Sequence, residues 1–246
     1  LALGAALENR HDYFIVDGNV DTEPLKSIQA LIADNSISLI ACTVMPGPQV
    51  GPAISISRAV RNTHSHIPII WGGYFPTLYP DSALNADYVD YIARGQGENT
   101  LVELLDRLGE AGPPRITHDG YIASNTLPEA ITGIAGLSWK RDGKIIHNPD
   151  RSFNNPDSFP EFPYHRLGNI EQYLRPSFMG SRTGVHQAAI GCRFRCSFCG
   201  VVSMFNGITR FPVAESLEKT LLALRNYGVN AMQYYDNNFF DRDENT

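Results

Sequence analysis

Basic charge is scarce in this chain of 246 residues: 20 lysines and arginines face 26 acidic residues, for a formal net charge of −6. No general basic field is present to gather phosphates, which weighs against a nucleic-acid partner. Cysteine is scarce as well. Of four cysteines, three crowd into the stretch from Cys192 to Cys199; this is no framework for a secreted disulfide scaffold and suits a metal site in a reducing, cytoplasmic compartment. Long apolar runs are missing, none approaching the roughly 20 residues that span a bilayer, so no integral membrane segment is expected. Residues 1–7 do not read as a secretory leader. They lack a basic start, run at once into Glu8, Arg10 and His11, and look like the end of an amphipathic helix. No Gly-x-Gly-x-x-Gly fingerprint occurs, which lowers a dinucleotide reading, and no internal repeat or low-complexity tract stands out. The chain begins with Leu1 and stops just after a strand-like run, so a piece of a longer protein is expected.

What is present is an ordinary globular composition, 43% hydrophobic and 19% charged, with enough length for one large or two medium domains. From residue 1 to 110, short apolar runs alternate with helical periodicities. Tyr13–Val16, Ile37–Val44, Ile67–Trp71 and Tyr88–Ile92 read as buried strands. Leu25, Ile28 and Ile32 share one helical face behind Pro24, which suits a first helical position; Leu101, Leu104, Leu105 and Leu108 share another. This alternation predicts a doubly wound parallel α/β sheet with its first strand missing. Residues 111–183 change character, with Gly112-Pro-Pro114, Asn154-Asn-Pro156 and two Phe-Pro pairs. They read as a connector carrying one β-hairpin over Gly136–His147 that turns at Asp142-Gly143. Residues 184–246 resume the alternation. A strand at Val185–Ile190 runs into the cysteine loop; Val213, Leu217, Leu221 and Leu224 repeat at helical spacing up to Gly228; Ala231–Tyr235 is the next strand. That order opens a βα barrel, of which about 250 residues are needed when complete, so only its truncated start is expected here.

The cysteine loop reads Gly191-Cys-Arg-Phe-Arg-Cys-Ser-Phe-Cys-Gly200. Thiolates select zinc, copper(I) or iron–sulfur clusters. Zinc sites most often come as two separated pairs, and no second pair follows. Three cysteines at i, i+4 and i+7 could also be small apolar residues on one helix face, but Gly191 and Gly200 bracket the run and argue against a continuing helix. Three thiolates leave one iron of a four-iron cluster without a protein ligand, and that open iron is a place for a small molecule to bind and react.

The spacing Cys-x3-Cys-x-aromatic-Cys after a strand, carried by Cys192, Cys196, Phe198 and Cys199, resembles the radical S-adenosylmethionine (radical SAM) signature. The resemblance implies a 4Fe-4S cluster on the three cysteines, with S-adenosylmethionine chelated to the open iron and cleaved by one electron to a 5′-deoxyadenosyl radical. It places Phe198 and the backbone around Gly200 beside the adenine. Asp236, Asn237 and Asn238, at the end of the next strand, become candidates for the methionyl part, their plain reading being a strand-ending turn. An electron donor such as flavodoxin or ferredoxin, and a small-molecule or lipid-like substrate, are the partners it implies.

Three glycine-bearing strand ends lie upstream: Thr43-Val-Met-Pro-Gly47, Trp71-Gly72-Gly73-Tyr74-Phe-Pro-Thr77 and Arg94-Gly95-Gln-Gly97-Glu98. Open α/β sheets bind ligands at the carboxyl ends of their strands, where glycine lets a large ligand approach the backbone. Each alone reads as a turn. Together, upstream of the cysteine loop, they resemble the cobalamin-binding domain of cobalamin-dependent radical SAM enzymes, with Phe75 and Gln96 as departures from that family's pattern. The resemblance covers nearly the whole chain. It implies cobalamin held by Thr43, Gly47, Gly72, Gly73, Tyr74, Gly95, Gly97 and Glu98, although Glu98 also reads as an acidic first-turn residue favoured by the helix dipole. No Asp-x-His-x-x-Gly segment supplies a cobalt ligand, and binding without a histidine is expected. Cys42 reads as a small core hydrophobe.

The function these features imply is methyl transfer to an unactivated carbon. A non-methylating oxidative cyclase and a non-catalytic zinc- or cobalamin-binding module are the alternatives. A tRNA methylthiotransferase is disfavoured by the acidic charge and by the lone Cys42 upstream.

Overall fold

The computed structural model describes residues 1–111 and 127–239. They fall into two compact units, one of residues 16–153 and one joining residues 1–15 to those from 154 onward. The Gly112–Pro114 stretch and Phe240 lie outside the described residues.

Residues 1–15 begin with helix α1 (Ala2–Leu7), which buries Ala5, Ala6 and Leu7. A Cβ on Gly4 would stand 3.1 Å from the Tyr13 ring and 3.2 Å from Pro163, so the helix approaches both closely. The apolar run Tyr13–Val16 forms no strand. Alternating apolar residues need a neighbouring backbone to ladder with, and none is offered here. Instead the Tyr13 hydroxyl donates to the Glu8 carboxylate, and the Arg166 guanidinium covers the Tyr13 ring at 4.9 Å while donating to Glu8 at 3.0 Å.

The 16–153 unit is a mixed α/β structure. Helix α2 (Pro24–Asp34) starts on Pro24, and the Asp21 carboxylate just before it accepts the Glu23 N–H at 2.8 Å and the Ser27 hydroxyl at 2.6 Å. Both bonds hold the Asp21 carboxyl below its ordinary range, the Ser27 hydroxyl most. There follow β1 (Ile40–Thr43), α3 (Val50–Thr63), β2 (Ile69–Gly72), α4 (Tyr74–Leu78), α5 (Pro80–Leu84), β3 (Tyr91–Ala93), α6 (Glu98–Ala111), α7 (Leu127–Ile131), β4 (Leu137–Arg141) and β5 (Lys144–His147). The strands form one sheet in the order β1-β2-β3-β4-β5. The first three are parallel, as the helix–strand alternation indicates; β4 and β5 add antiparallel. The hairpin turns at Asp142 and Gly143, with φ of 49° and 74°, the left-handed pair of a type I′ turn. Rather than standing in a separate connector, it covers the β3 edge and leaves no unpaired ladder there.

The core of this unit gathers Val44, Val60, Ile69, Trp71, Leu84, Tyr88, Val89 and Ile92, with Ile28 and Ile32 of α2 packed against it. Full burial of such side chains contributes about 1.5–3 kcal/mol each. Two polar groups inside it are answered. The Trp71 indole N–H donates to the Ser57 hydroxyl at 3.0 Å. Asp90, 1% exposed, accepts the Ile69 N–H at 2.7 Å and pairs with Arg61, which also donates to the Ser65 carbonyl. Burial pushes the Asp90 carboxyl up, against the pull of Arg61 and the Ile69 amide.

The second unit continues with β6 (Thr183–His186), β7 (Ile190–Gly191), α8 (Gly200–Phe205), β8 (Thr209–Arg210), α9 (Ala214–Asn226) and β9 (Ala231–Tyr234). Strands β6 and β9 are parallel, Thr183 opposite Ala231 through His186 opposite Tyr234, and α9 lies on the chain between them. This strand–helix–strand unit is the element a βα barrel repeats. Gly228 ends α9 with φ of 79°, the Val229 N–H closing back on the Leu224 carbonyl at 3.2 Å. Leu224, Val229 and Tyr164 form the core here, with Phe162, Leu167, Ile170 and Met232 around them. The expected strand over Val185–Ile190 is displaced: β6 starts at Thr183 and stops at His186, and only Ile190 and Gly191 form β7. Among the described residues, no helix is long and apolar enough to cross a membrane.

Replacing Asp90 by alanine should cost about 3–5 kcal/mol, because it strands the half-buried Arg61 charge and the Ile69 amide. The urea midpoint of the variant measures this, and an unchanged midpoint would show the pair to be energetically idle.

Candidate functional site

Three loops leave the 16–153 sheet at one level. Thr43 stands opposite Gly72, and Gly72 opposite Ala93, so β1, β2 and β3 end together. The alignment of glycine-bearing strand ends expected from the sequence is therefore present. Their glycines serve different ends. Gly73 has φ of 93°, and a Cβ on it would stand 3.1 Å from the Val44 carbonyl oxygen and 3.2 Å from the Thr43 methyl group. It lets the second loop lie flat on the first, where the Phe75 N–H donates to the Val44 carbonyl at 3.0 Å. Gly47 also has φ of 93°, but a Cβ there would meet nothing within 4 Å. Its backbone lies open, in an exposed stretch from Met45 to Pro48 beside the exposed Thr43. Gly95, with φ of 71°, has only Phe153 near, at 3.9 Å. Gly72 would accept a Cβ at ordinary contact distance from Ala93, and Gly97 accepts the Leu101 N–H at 2.8 Å as α6 begins.

Thr77 ties these loops together, and sequence reasoning placed it in the motif without a role. Its hydroxyl donates to the Gly73 carbonyl at 2.7 Å and accepts the Gly95 N–H at 3.0 Å. A threonine four residues after a strand-end glycine was the available signal. Phe75, a departure from the family pattern, packs its ring 6.4 Å from Trp71 and 5.8 Å from Tyr79; it is an aromatic anchor for α4. Tyr74 opens α4. Glu98 opens α6, where burial pushes its carboxyl up, and its Oε2 is enclosed without a hydrogen-bond partner. A flat, large ligand fits such a face: open backbone at Gly47, loops braced at Gly73 and Thr77, and no side chain rising from the glycines.

The cysteine loop is pinned at its root. Gly191 pairs antiparallel with Thr209, and a Cβ on Gly191 would sit 2.1 Å from the Ile208 carbonyl oxygen; with φ of 84° the position admits glycine alone. At the far side, Asn206 and Gly207 take φ of 49° and 73°, and the Arg195 guanidinium lies over Gly207. Within the loop, the Cys199 N–H donates to the Cys196 carbonyl at 3.1 Å, and Cys199 caps α8, whose first residue is Gly200. All three thiols are free, Cys196 exposed and the other two partly so. Among the described residues, no three Cys, His, Asp or Glu side chains converge closely enough to cage a metal ion. The donor set fits an iron–sulfur cluster, and the loop must draw its thiols together around it, as metal sites commonly couple binding to local folding. Phe198 is 89% exposed, its ring free to stack. Cys42 differs in kind: burial pushes its thiol up to about 11, and it packs against the sheet core.

Of the three residues after β9, the structure brings Asp236 to the cysteine loop's root. Its Oδ1 accepts the Ala189 N–H in the gap between β6 and β7, while Oδ2 is enclosed without a partner. That side-chain bond explains the interrupted strand, since it takes a donor a ladder would have used. Asn238 also has an enclosed Nδ2 without a partner, and Asn237 is exposed. His186, between the Phe162 ring at 5.8 Å and the Tyr234 ring at 6.4 Å, has its pKa pushed down by burial, against the pull of Asp236.

Comparison with known proteins adds three kinds of likeness. Residues 1–105 match the B12 binding domain. An uncharacterized methyltransferase of Pyrococcus horikoshii is 25% identical over 240 residues, covering 96% of this chain and 48% of that protein. An anaerobic magnesium-protoporphyrin IX monomethyl ester cyclase of Rubrivivax gelatinosus is 23% identical over 190 residues, 76% of this chain and 31% of the cyclase. Among solved structures, the radical S-adenosylmethionine methyltransferase TsrM of Kitasatospora setae, with cobalamin and a 4Fe-4S cluster bound, shares the fold. Its TM-score is 0.68 at 19% identity, over 97% of this chain and 44% of that one. The chain thus spans about half the length of the methyltransferase relative and less of the other two. These likenesses bear out the resemblance that the cysteine and glycine motifs carry.

Two outcomes follow from the local geometry. Thr77→Val leaves the Gly95 amide without its acceptor and should cost about 1 kcal/mol in urea unfolding, with Thr77→Ser near the parent; equal stability of all three would remove the bracing role. Because the folded-state pKa of His186 lies below its unfolded value, near 6.5, its contribution is complete above that pH and is lost as pH falls through the folded value. Urea midpoints at pH 7.5 and 5.5 should therefore drop more for the parent than for His186→Phe, and parallel drops would contradict this.

Proposed function

We propose that this chain, with its B12 binding match over residues 1–105, is the cobalamin- and cluster-holding part of a radical SAM enzyme that transfers a methyl group to an unactivated carbon. One observation carries the reading. Register-matched, glycine-bearing strand ends at residues 43–98 precede a loop with three free thiols that follows a parallel strand.

When bound, these groups supply a methyl carrier and the one-electron cleavage of S-adenosylmethionine to methionine and a 5′-deoxyadenosyl radical. The protein's own residues do the holding. Cys192, Cys196 and Cys199 ligate three irons and leave the fourth open. Phe198 stacks on the adenine, with the backbone at Gly200 beside it. Asp236 holds the Ala189 amide and so sets where the cysteine loop begins, and Asn237 and Asn238 extend from the same strand end toward the methionyl group. Thr43, Gly47, Gly72, Gly73, Tyr74, Gly95 and Gly97 let the corrin approach backbone, and Glu98 meets it at the start of α6. No histidine lies in these three loops, which favours cobalamin held without one. A reducing, cytoplasmic setting, a small-molecule or lipid-like substrate and a one-electron donor complete the proposal.

The likeness to a ring-forming cyclase keeps one second reading, a non-methylating oxidative cyclisation. The products separate the two: methyl transfer releases S-adenosylhomocysteine alongside 5′-deoxyadenosine, and cyclisation releases none.

The test is anaerobic reconstitution of the full-length protein. About four irons per chain, a cluster signal altered by S-adenosylmethionine and a corrin absorbance are expected. Stoichiometric zinc with no response to S-adenosylmethionine would overturn the reading. Cys196→Ala should abolish 5′-deoxyadenosine formation and leave corrin binding intact; unaltered cleavage in that variant removes the role given to the thiol.

A further inference from the structure

The 26 acidic residues of this chain are not spread evenly: none lies between Glu171 and Glu215. That stretch carries five arginines, Arg175, Arg182, Arg193, Arg195 and Arg210, and it contains the whole cysteine loop. Arg182 is neutralised by a two-pronged pair with Glu171, at 2.6 and 2.7 Å. Arg195 and Arg210, both exposed, meet only backbone carbonyls, those of Asn206 and Thr209. Among the described residues neither has a carboxylate partner. They sit at either end of the lobe that β7 and β8 close: Arg195 beside Cys196, and Arg210 opposite Ile190. Between them, Cys196 is exposed and Phe194 is half exposed. A chain of net negative charge has thus kept carboxylates off one lobe and left two unpaired guanidinium groups on it.

We infer that this lobe is the docking surface for an acidic one-electron donor protein of the flavodoxin or ferredoxin class. The inference deepens the proposed function and rests on it. Charge complementarity selects the partner. Carboxylates on the donor meet Arg195 and Arg210, while the exposed Phe194 ring gives the apolar contact that a transient interface needs at its centre. The exposed Cys196 places the donor's cofactor next to the thiol-bearing turn. The electron count is simple: one electron leaves the reduced flavin or iron–sulfur centre of the donor, which ends one-electron oxidised. That electron is consumed in breaking the C5′–S bond of S-adenosylmethionine, whose other product is methionine. An Arg-rich lobe could also take RNA, but the acid-free stretch holds no lysine, and the aromatic it exposes stands beside the thiols.

The experiment compares two reductants on the reconstituted full-length enzyme. With dithionite, a small chemical donor, Arg210→Glu should cleave S-adenosylmethionine at the parent rate. With reduced flavodoxin at low salt, its KM should rise about fivefold or more, and the parent's KM should climb steeply with added salt while the variant's changes little. Arg210→Gln gives a weaker shift in the same direction and serves if the reversal does not fold. Titration of flavodoxin into the cluster-free protein reads the same contact as a dissociation constant, independent of turnover. An unchanged flavodoxin KM and dissociation constant, or displacement of flavodoxin by short RNA at equal affinity, would overturn the docking surface. Absence of cleavage even with dithionite would instead overturn the proposed function.

Discussion

Asp90 takes two donors at the start of β3, the Ile69 amide and the Arg61 guanidinium, and the ligand-facing end of the 16–153 unit depends on that arrangement. The amide belongs to the first residue of β2, so the bond fixes how far β2 slides along β3. Parallel strands buried on both faces carry little alternation to report their register, and a slip by one residue would leave the apolar pattern almost unchanged. A buried carboxylate that accepts a named backbone amide supplies what the apolar pattern does not. The consequence appears three residues on, where Gly72 stands level with Ala93 and with Thr43. From there Thr77 carries the alignment outward by joining the Gly73 carbonyl to the Gly95 amide. Register, loop height and loop spacing are one chain of hydrogen bonds.

The cysteine loop is built on the opposite principle. Its root is tight: Gly191 touches the Ile208 carbonyl so closely that no side chain fits, and Asp236 holds Ala189. Its tip is loose, with exposed Phe198 and Cys196 and no convergence of the thiols. A rigid root with an adaptable tip suits a ligand set completed by an inorganic core, since the bonds to iron supply the ordering energy that the peptide alone lacks. Catalytic constellations on loops need their supports fixed first, and here the supports come from β8 and from the residue after β9.

Much of this was legible in the residues. The hairpin turn needed only Asp142-Gly143, the end of α9 only Gly228, and the three-thiol loop only its spacing. What stayed hidden depended on partners far away in the chain. Tyr13–Val16 has the composition of a strand, but composition does not supply a neighbour. Val185–Ile190 looks continuous, and only the side chain of Asp236, nearly fifty positions on, breaks it. Phe75 stands out as a departure within a motif, yet its reason is Trp71, a core residue the motif does not involve. Thr77 was within the quoted segment and its hydroxyl was still invisible, because a side chain that bonds two loops is known only when both are placed.

Net charge concealed the last feature for the same reason. A total of −6 argues against nucleic acid, and it does so for the average surface. The average is made of a strongly acidic remainder and one acid-free stretch around the thiols. For an acidic partner these are not two separate facts. The acidic remainder repels it wherever it approaches wrongly, and the arginines attract it at one place, so orientation is selected by both signs together. A uniformly neutral protein carrying the same arginines would capture such a partner in many poses. The acidity that counts against one class of ligand therefore sharpens the choice of another, and the composition becomes informative only when read along the chain.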